Sequence, residues 1–253
     1  MMKKHWPMWL LIGVVLFILY MPIVPVLMLS VNGEAGEWTW RWYYELAQTA
    51  LILKALRTTA IIAVLVMALA TFLGLLAALA IRELGIPRLI LLAMLLPLFI
   101  PGVSAGLASA LLFSIIGIKP AIATMVIVQT VWALPFATLI ILTVMATFDP
   151  AYLEAAYVAG ANRWQAFRDI EFPLIASGLY GAASFSAIIS INETIRTSVV
   201  QGPWNTIPTY IWSTYKQVGL SPVLYALMGL IIISTILLAF SYLFISRPRR
   251  SPA

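Results

Sequence analysis

The amino-acid sequence predicts an all-α, membrane-embedded protein with six transmembrane helices. Three observations carry that expectation. The 253 residues are 63% hydrophobic and only 9% charged, whereas soluble domains carry about a quarter charged residues, so too little polar surface remains to coat a water-soluble globule. Six apolar stretches each reach the roughly 20 residues that a helix needs to cross the hydrocarbon of a bilayer. There is no cysteine, which excludes a disulfide framework and any thiolate metal site.

The first apolar stretch runs over 8–31. Lys3 and Lys4 precede it like the charged front of a signal peptide. The stretch is too long for one and has no small-residue cleavage site, so it reads as a retained helix. Residues 32–57 follow, with Trp38, Trp40, Trp42, Tyr43 and Tyr44. Aromatics at that density suit a membrane–water interface; an interfacial helix anchoring the first crossing and a docking surface for a partner both fit. The second crossing covers 58–81 and the third 89–113. The third holds Pro97, Pro101, Gly102 and Gly106. Proline frees a backbone carbonyl and glycine allows close helix contact, which suits a kinked packed helix and equally a helix lining a moving pathway. The fourth crossing covers 121–147, the fifth and most polar 177–200, and the sixth 222–246. Residues 201–220, with Pro203, Trp204, Pro208 and Tyr210, read as an interfacial loop rather than an enzyme site.

Six crossings place both ends on one side. Lys3, Lys4, Arg82, Arg88, Arg163, Arg168, Arg247, Arg249 and Arg250 fall on that side, and Arg41, Lys54, Arg57, Lys119, Arg196 and Lys216 on the other. Lysine and arginine concentrate on cytoplasmic loops, so both termini are expected in the cytoplasm. The 15 Lys+Arg against 9 Asp+Glu then reflect topology and anionic membrane lipid rather than nucleic acid. The whole chain, 1–253, reads as a single transmembrane domain with a cytoplasmic loop at 148–176 and a basic tail at 247–253.

That loop differs in character from the rest. Asp149, Glu154, Arg163, Arg168, Asp169 and Glu171 are six of the chain's 24 charges. Asp149 can cap a short helix with Pro150 at its first position, running through Leu153, Glu154, Ala155, Ala156 and Tyr157 to a natural stop at Gly160. Asn162, with Gln165 three residues on, makes a capping box for a second. Trp164, Phe167 and Ile170 form its apolar stripe. Pro173 is expected to close the unit and turn the chain toward the membrane. A self-packed linker and a docking block for a soluble partner are both consistent with this pattern.

Glu154-Ala155-Ala156, then Gly160, Ile170 and Pro173, match the pattern E-A-A, three residues, G, nine residues, I, two residues, P of ABC-importer permeases. All six positions agree at the right spacing; Phe172 stands where the family often has leucine. The chain thus resembles an inner-membrane permease subunit of the MetI-like, type I importer architecture. The resemblance implies that the loop is a coupling helix docking on an ATP-hydrolysing subunit, with Gly160 allowing the sharp turn, Ala155 and Ala156 permitting close approach, and Glu154 fixing the loop through a hydrogen bond or ion pair. It also implies an assembly of this chain with a second permease, an ATPase dimer and an extracytoplasmic solute-binding protein in the bacterial cytoplasmic membrane. The first helix would wrap the partner permease. ATP and Mg would sit on the partner ATPase, and no cofactor on this chain.

Late in the fifth crossing lie Ser190, Asn192, Glu193 and Arg196. Ionisable groups within a membrane segment are costly and mark function by default. Glu193 and Arg196, three apart, can pair with each other; alternatively these residues line the substrate path. Ser190-Ile191-Asn192-Glu193, Gly202-Pro203, Ile207-Pro208 and Val218-Gly219-Leu220-Ser221-Pro222 resemble the second permease of spermidine/putrescine-type importers. The resemblance implies a small polar solute, with a polyamine or related amine-containing compound as candidate. Asn192 replaces an expected acid there and Arg196 adds a positive charge.

No phosphate-binding G-x-x-x-x-G-K-[ST] loop occurs, and the one histidine, His5, allows no histidine-based metal site or triad. The chain is therefore expected to be non-catalytic, with its energy coming from a partner. The competing readings are a membrane-embedded enzyme acting on lipid, with Glu154, Arg163, Arg168 and Asp169 as its polar cluster, and a channel or ion-driven transporter needing no ATPase.

Overall fold

The computed structural model describes residues 6–34, 36–84 and 87–245. Lys3, Lys4, His5, Arg247, Arg249, Arg250 and the tail 247–253 lie outside the described residues. The described residues are helical almost throughout, and an isolated antiparallel bridge, Asn32 to Trp38, is their one extended pairing.

In chain order the helices are α1 Trp6–Tyr20, α2 Ile23–Ser30, α3 Arg41–Gln48, α4 Ala50–Glu83, α5 Pro87–Phe99, α6 Gly102–Ile115, α7 Ile122–Met145, α8 Ala151–Val158 and α9 Arg163–Ala166. A π-helical turn, Phe167–Glu171, leads into α10 Phe172–Asn192; α11 Ile195–Val200, α12 Ile207–Val218 and α13 Pro222–Ile245 complete the chain. Four helices are long and apolar enough to span: α4, α7, the continuous run Arg163–Asn192, and α13. Two bent pairs, α1–α2 and α5–α6, are long and apolar enough when taken together, which makes six candidate spans if each pair is one span.

Two departures from the expected spans have local causes. The stretch 89–113 is not one kinked helix but two helices bent by 100°. Pro101 holds extended backbone at ψ 136° before α6, and proline also bars α-helical geometry from the residue before it. The helix that carries the fifth crossing runs from Arg163 and ends at Asn192, rather than covering 177–200. Pro173 does not turn the chain. A proline ring clashes with the carbonyl four residues back, and the π turn just before it widens the helix, with the Phe172 N–H reaching the Phe167 carbonyl. The helix therefore passes through Pro173 unbroken.

The chain resolves into two compact units. One comprises residues 1–54 and 210–234. In it α3 is tied to the loop before it by Trp42 Nε1, which donates to the Asn32 carbonyl at 2.8 Å, and to the end of α2 by Tyr43 Oη, which donates to Ser30 Oγ at 2.9 Å. Gly229 of α13 lets that phenol approach: a Cβ there would stand 3.0 Å from Tyr43 Oη. The apolar side chains of α1 are exposed along its length, Phe17 to 66%, so lipid or another membrane protein must cover them.

The other unit comprises residues 55–209 and 235–253. Its centre is the packing of α10 on α7, with α11 against α6 and α7, and α5 against α7. Ile62, Val66, Met125, Ala137, Ile141 and Ile175 are buried there. Small residues set the helix spacing, as is usual where lipid offers no hydrophobic drive between helices. A Cβ at Gly178 would meet the Val144 side chain at 2.9 Å, and one at Gly74 would meet Ala137 at 3.0 Å.

Candidate functional site

The structure gathers the sequence-selected residues at two places. The first is the charged block. Asp149 Oδ1 accepts the Ala151 N–H at 3.0 Å and starts α8. Gly160 ends α8 at φ +87°, and the bonds from Gly160 N–H to Tyr157 O and from Ala161 N–H to Ala156 O form a Schellman turn. Asn162 and Gln165 then form the reciprocal capping box that opens α9, both bonds at 2.9 Å. Trp164 and Phe167 stack at 5.9 Å, and Phe167 and Phe172 meet edge-on at 6.0 Å. The block is thus held by its own caps and rings.

Of its marked residues, Ala156 is buried, Ile170 is half-buried, and Glu154, Ala155, Gly160 and Pro173 are exposed. The Glu154 side chain makes no hydrogen bond or ion pair among the described residues; its backbone N–H donates to the Pro150 carbonyl at 3.1 Å. The expectation that it fixes the loop is corrected: the Schellman turn and the capping box do so, and the Glu154 carboxylate faces outward. The buried acid is instead Glu171, 2% exposed. Its carboxylate accepts from both terminal nitrogens of Arg82 at the end of α4, with Nη2 to Oε2 at 3.3 Å. Sequence reasoning placed both residues on one side but did not pair them, because they lie 89 positions apart.

The second place lies where α10 breaks. Glu193 is extended, at φ −78° and ψ 117°. Its Oε1 accepts the Arg196 N–H at 2.9 Å and caps α11, while its Oε2 accepts from Arg196 Nη1 at 2.9 Å. Both residues are 8% exposed. The Arg196 guanidinium lies 3.7 Å from the centroid of the Trp132 ring. It also packs on α6, where a Cβ at Gly102 would stand 3.3 Å from its central carbon. Burying such a pair costs several kcal/mol per ion, offset only when geometry and further bonds are good; here the helix cap and the ring supply them.

Beside the pair runs a polar seam that sequence reasoning caught only at Ser190. Ser190 Oγ donates to Gln129 Oε1 at 2.5 Å, and Gln129 Nε2 donates to Thr197 Oγ1 at 2.7 Å. Thr124 Oγ1 donates to the Val200 carbonyl at 2.8 Å. Gln129 and Thr197 are fully buried; the sequence reading missed Gln129, and a polar amide within an apolar run is the signal by which it could be found. Asn192 stands apart: it is exposed, and its Nδ2 donates to the Ile188 carbonyl of its own helix at 2.8 Å. An apolar cavity of about 330 Å³ adjoins Arg196, lined by Pro97, Ile100, Phe113, Val131 and Trp132.

Comparison with known proteins agrees with this architecture. Residues 70–251 match the family described as binding-protein-dependent transport system inner membrane component. The chain is 25% identical over 240 residues to the spermidine/putrescine transport system permease protein PotC of Escherichia coli K12, covering 91% of this chain and 90% of that one. It is also 25% identical to two other permeases of that organism. One is the putrescine permease PotI, covering 85% of this chain and 81% of that one; the other is the sulfate permease CysT, covering 90% and 86%. Among solved structures, a chain of a bacterial alginate ABC transporter in complex with its periplasmic protein superposes with a TM-score of 0.77 at 20% identity, covering 97% of this chain and 95% of that one. A chain of the MetNI methionine ABC transporter superposes with a TM-score of 0.67 at 17% identity, covering 79% and 97%. The chain belongs to the family of binding-protein-dependent transport system inner membrane components, as a non-catalytic permease subunit of an ATP-driven importer whose ATPase is a separate chain.

Proposed function

We propose that this permease docks its ATPase through the block 148–176 and forms half of a translocation pathway for a small polar solute, with a polyamine or related amine-containing compound as the leading class. Glu154, Ala155, Ala156, Gly160, Ile170 and Pro173 form or shape the docking face. ATP and Mg act on the partner ATPase and no cofactor on this chain. The partners are a second permease, an ATPase dimer and an extracytoplasmic solute-binding protein, and both termini face the cytoplasm. The exposed apolar surface of α1 suits a helix wrapped on the second permease.

The observation that carries the docking reading is the rigidity of the block. Two capped short helices around a Schellman turn keep their shape under load, and α9 runs without interruption into a spanning helix. A push on the block therefore reaches the bilayer core, the kind of partner-imposed shear that drives alternating exposure.

Ser190, Asn192, Glu193 and Arg196 are the proposed pathway residues. Glu193 is already neutralised by Arg196, so the exposed Asn192 amide and the edge of the ion pair offer hydrogen bonds rather than net negative charge. The polyamine reading is supported by the likeness to PotC and PotI. The test is uptake by the complete complex in proteoliposomes. Labelled putrescine or spermidine should accumulate in an ATP-dependent manner, competed by excess unlabelled amine. Accumulation of sulfate with no amine uptake would replace the amine class by an anion.

A further inference from the structure

The Arg82–Glu171 pair has a feature that no folding role requires: it joins the block to a helix that the chain does not otherwise connect it to. Glu171 closes the π turn, so its carboxylate lies at the joint between the block and α10. Its side chain is 3% exposed and both its oxygens face one guanidinium. That is the forked geometry in which arginine is stiffest and which lysine cannot copy. Arg82 is braced from behind, with Nε donating to Glu83 Oε1 at 3.1 Å. Among the described residues no other hydrogen bond or ion pair joins the block to α4.

Mechanical consequences follow from the connectivity. The block is covalently continuous with α10, so displacement of the block moves α10 whatever else is present. It reaches α4 by a polar bond only through this pair. α4 in turn is seated on α7 at Gly74. A helix of 34 residues gripped at its end transmits that grip along its length, because its backbone bonds are all internal. The ion pair sits on the last residue of the π turn, so it grips α4 at the joint itself.

We propose that Arg82 and Glu171 are positioning residues for energy coupling. They lock α4 to the docking block so that α4 and α10 move as one when the ATPase closes. The inference rests on the docking reading of the block. With the pair broken, ATPase-driven motion enters α10 alone, and hydrolysis continues with little transport.

The complete complex in proteoliposomes tests this, with solute uptake and phosphate release measured together. Glu171→Gln should leave the ATPase co-purifying and hydrolysing while uptake per ATP falls by about tenfold, within the usual range of coupling between sites. Arg82→Lys should fall part of the way. Wild-type uptake per ATP from assembled Glu171→Gln complex would overturn the proposal. Because the chain has no cysteine, Arg82→Cys with Glu171→Cys can be bridged selectively by a bifunctional thiol reagent. Recovery of uptake per ATP on bridging supports a mechanical link, and no recovery overturns it even if the Glu171→Gln complex proves unstable. The docking reading fails separately, if cross-links from the wild-type block never reach the ATPase.

Discussion

Arg196 shows how much one buried cation must be given to sit inside a membrane protein. It has a carboxylate at 2.9 Å, an indole face at 3.7 Å, and two glycines of α6 that clear space for it. Glu193 also caps the short helix that carries Arg196, so one side chain neutralises the charge and ends the break in α10. Glu193→Ala removes both functions and strands the guanidinium; breaking a buried pair costs about 3–5 kcal/mol. Glu193→Gln keeps the cap acceptor and loses only the charge. The expected order of thermal stability in detergent is wild type, then Glu193→Gln, then Glu193→Ala. If Glu193→Ala altered uptake kinetics at an unchanged melting temperature, the carboxylate would be meeting solute rather than Arg196. Gln129 makes a second residue-scale case. It bonds Ser190 and Thr197 at once, and Gln129→Leu leaves both hydroxyls to find new partners in an apolar setting. A loss of about 1–3 kcal/mol is expected, seen as a lower melting temperature.

At the scale of elements, the block 148–176 depends on one backbone position. Gly160 sits at φ +87° with no side-chain contact a Cβ would make. Any replacement is therefore penalised by backbone strain of about 1–2 kcal/mol rather than by a clash. Gly160→Asp adds a charge at the exposed end of α8. The chain should still insert, since no spanning helix is touched, but ATP-driven uptake should be lost. Full uptake by that variant in membrane vesicles would argue against docking at this turn. The spanning elements respond differently. Gly178 lies against Val144 with no room for a methyl group, so Gly178→Leu should separate α10 from α7 and lower the yield of folded protein. The bend between α5 and α6 has its own cause. Proline and glycine at 97–106 look alike in sequence, yet Pro97 sits inside α5 while Pro101 separates two helices at 100°. The difference is local: Pro101 holds extended backbone at ψ 136°, whereas Pro97 stays within α5.

At the scale of the molecule, a chain whose apolar side chains are exposed all along α1, and whose buried charges are paired within it among the described residues, is built to function inside an assembly. Affinity purification of the tagged chain in mild detergent should bring an ATPase and a second permease with it. A stable, transport-competent monomer would remove the coupling scheme altogether. The class of the protein, its crossings and its capped block were decided by local chemistry. Hydropathy over some 20 residues, the Asn162/Gln165 box and the Gly160 turn each depend on neighbours within a few positions, and their outcome is legible from the chain alone. The Arg82–Glu171 fork, the Gln129 seam and the seat of Arg196 on Trp132 were decided only when distant segments met. Each of these balances the cost of a buried polar group against partners that sequence spacing does not reveal. The same physics that hides them in the sequence, desolvation answered by a long-range contact, places them where the protein's helices are joined.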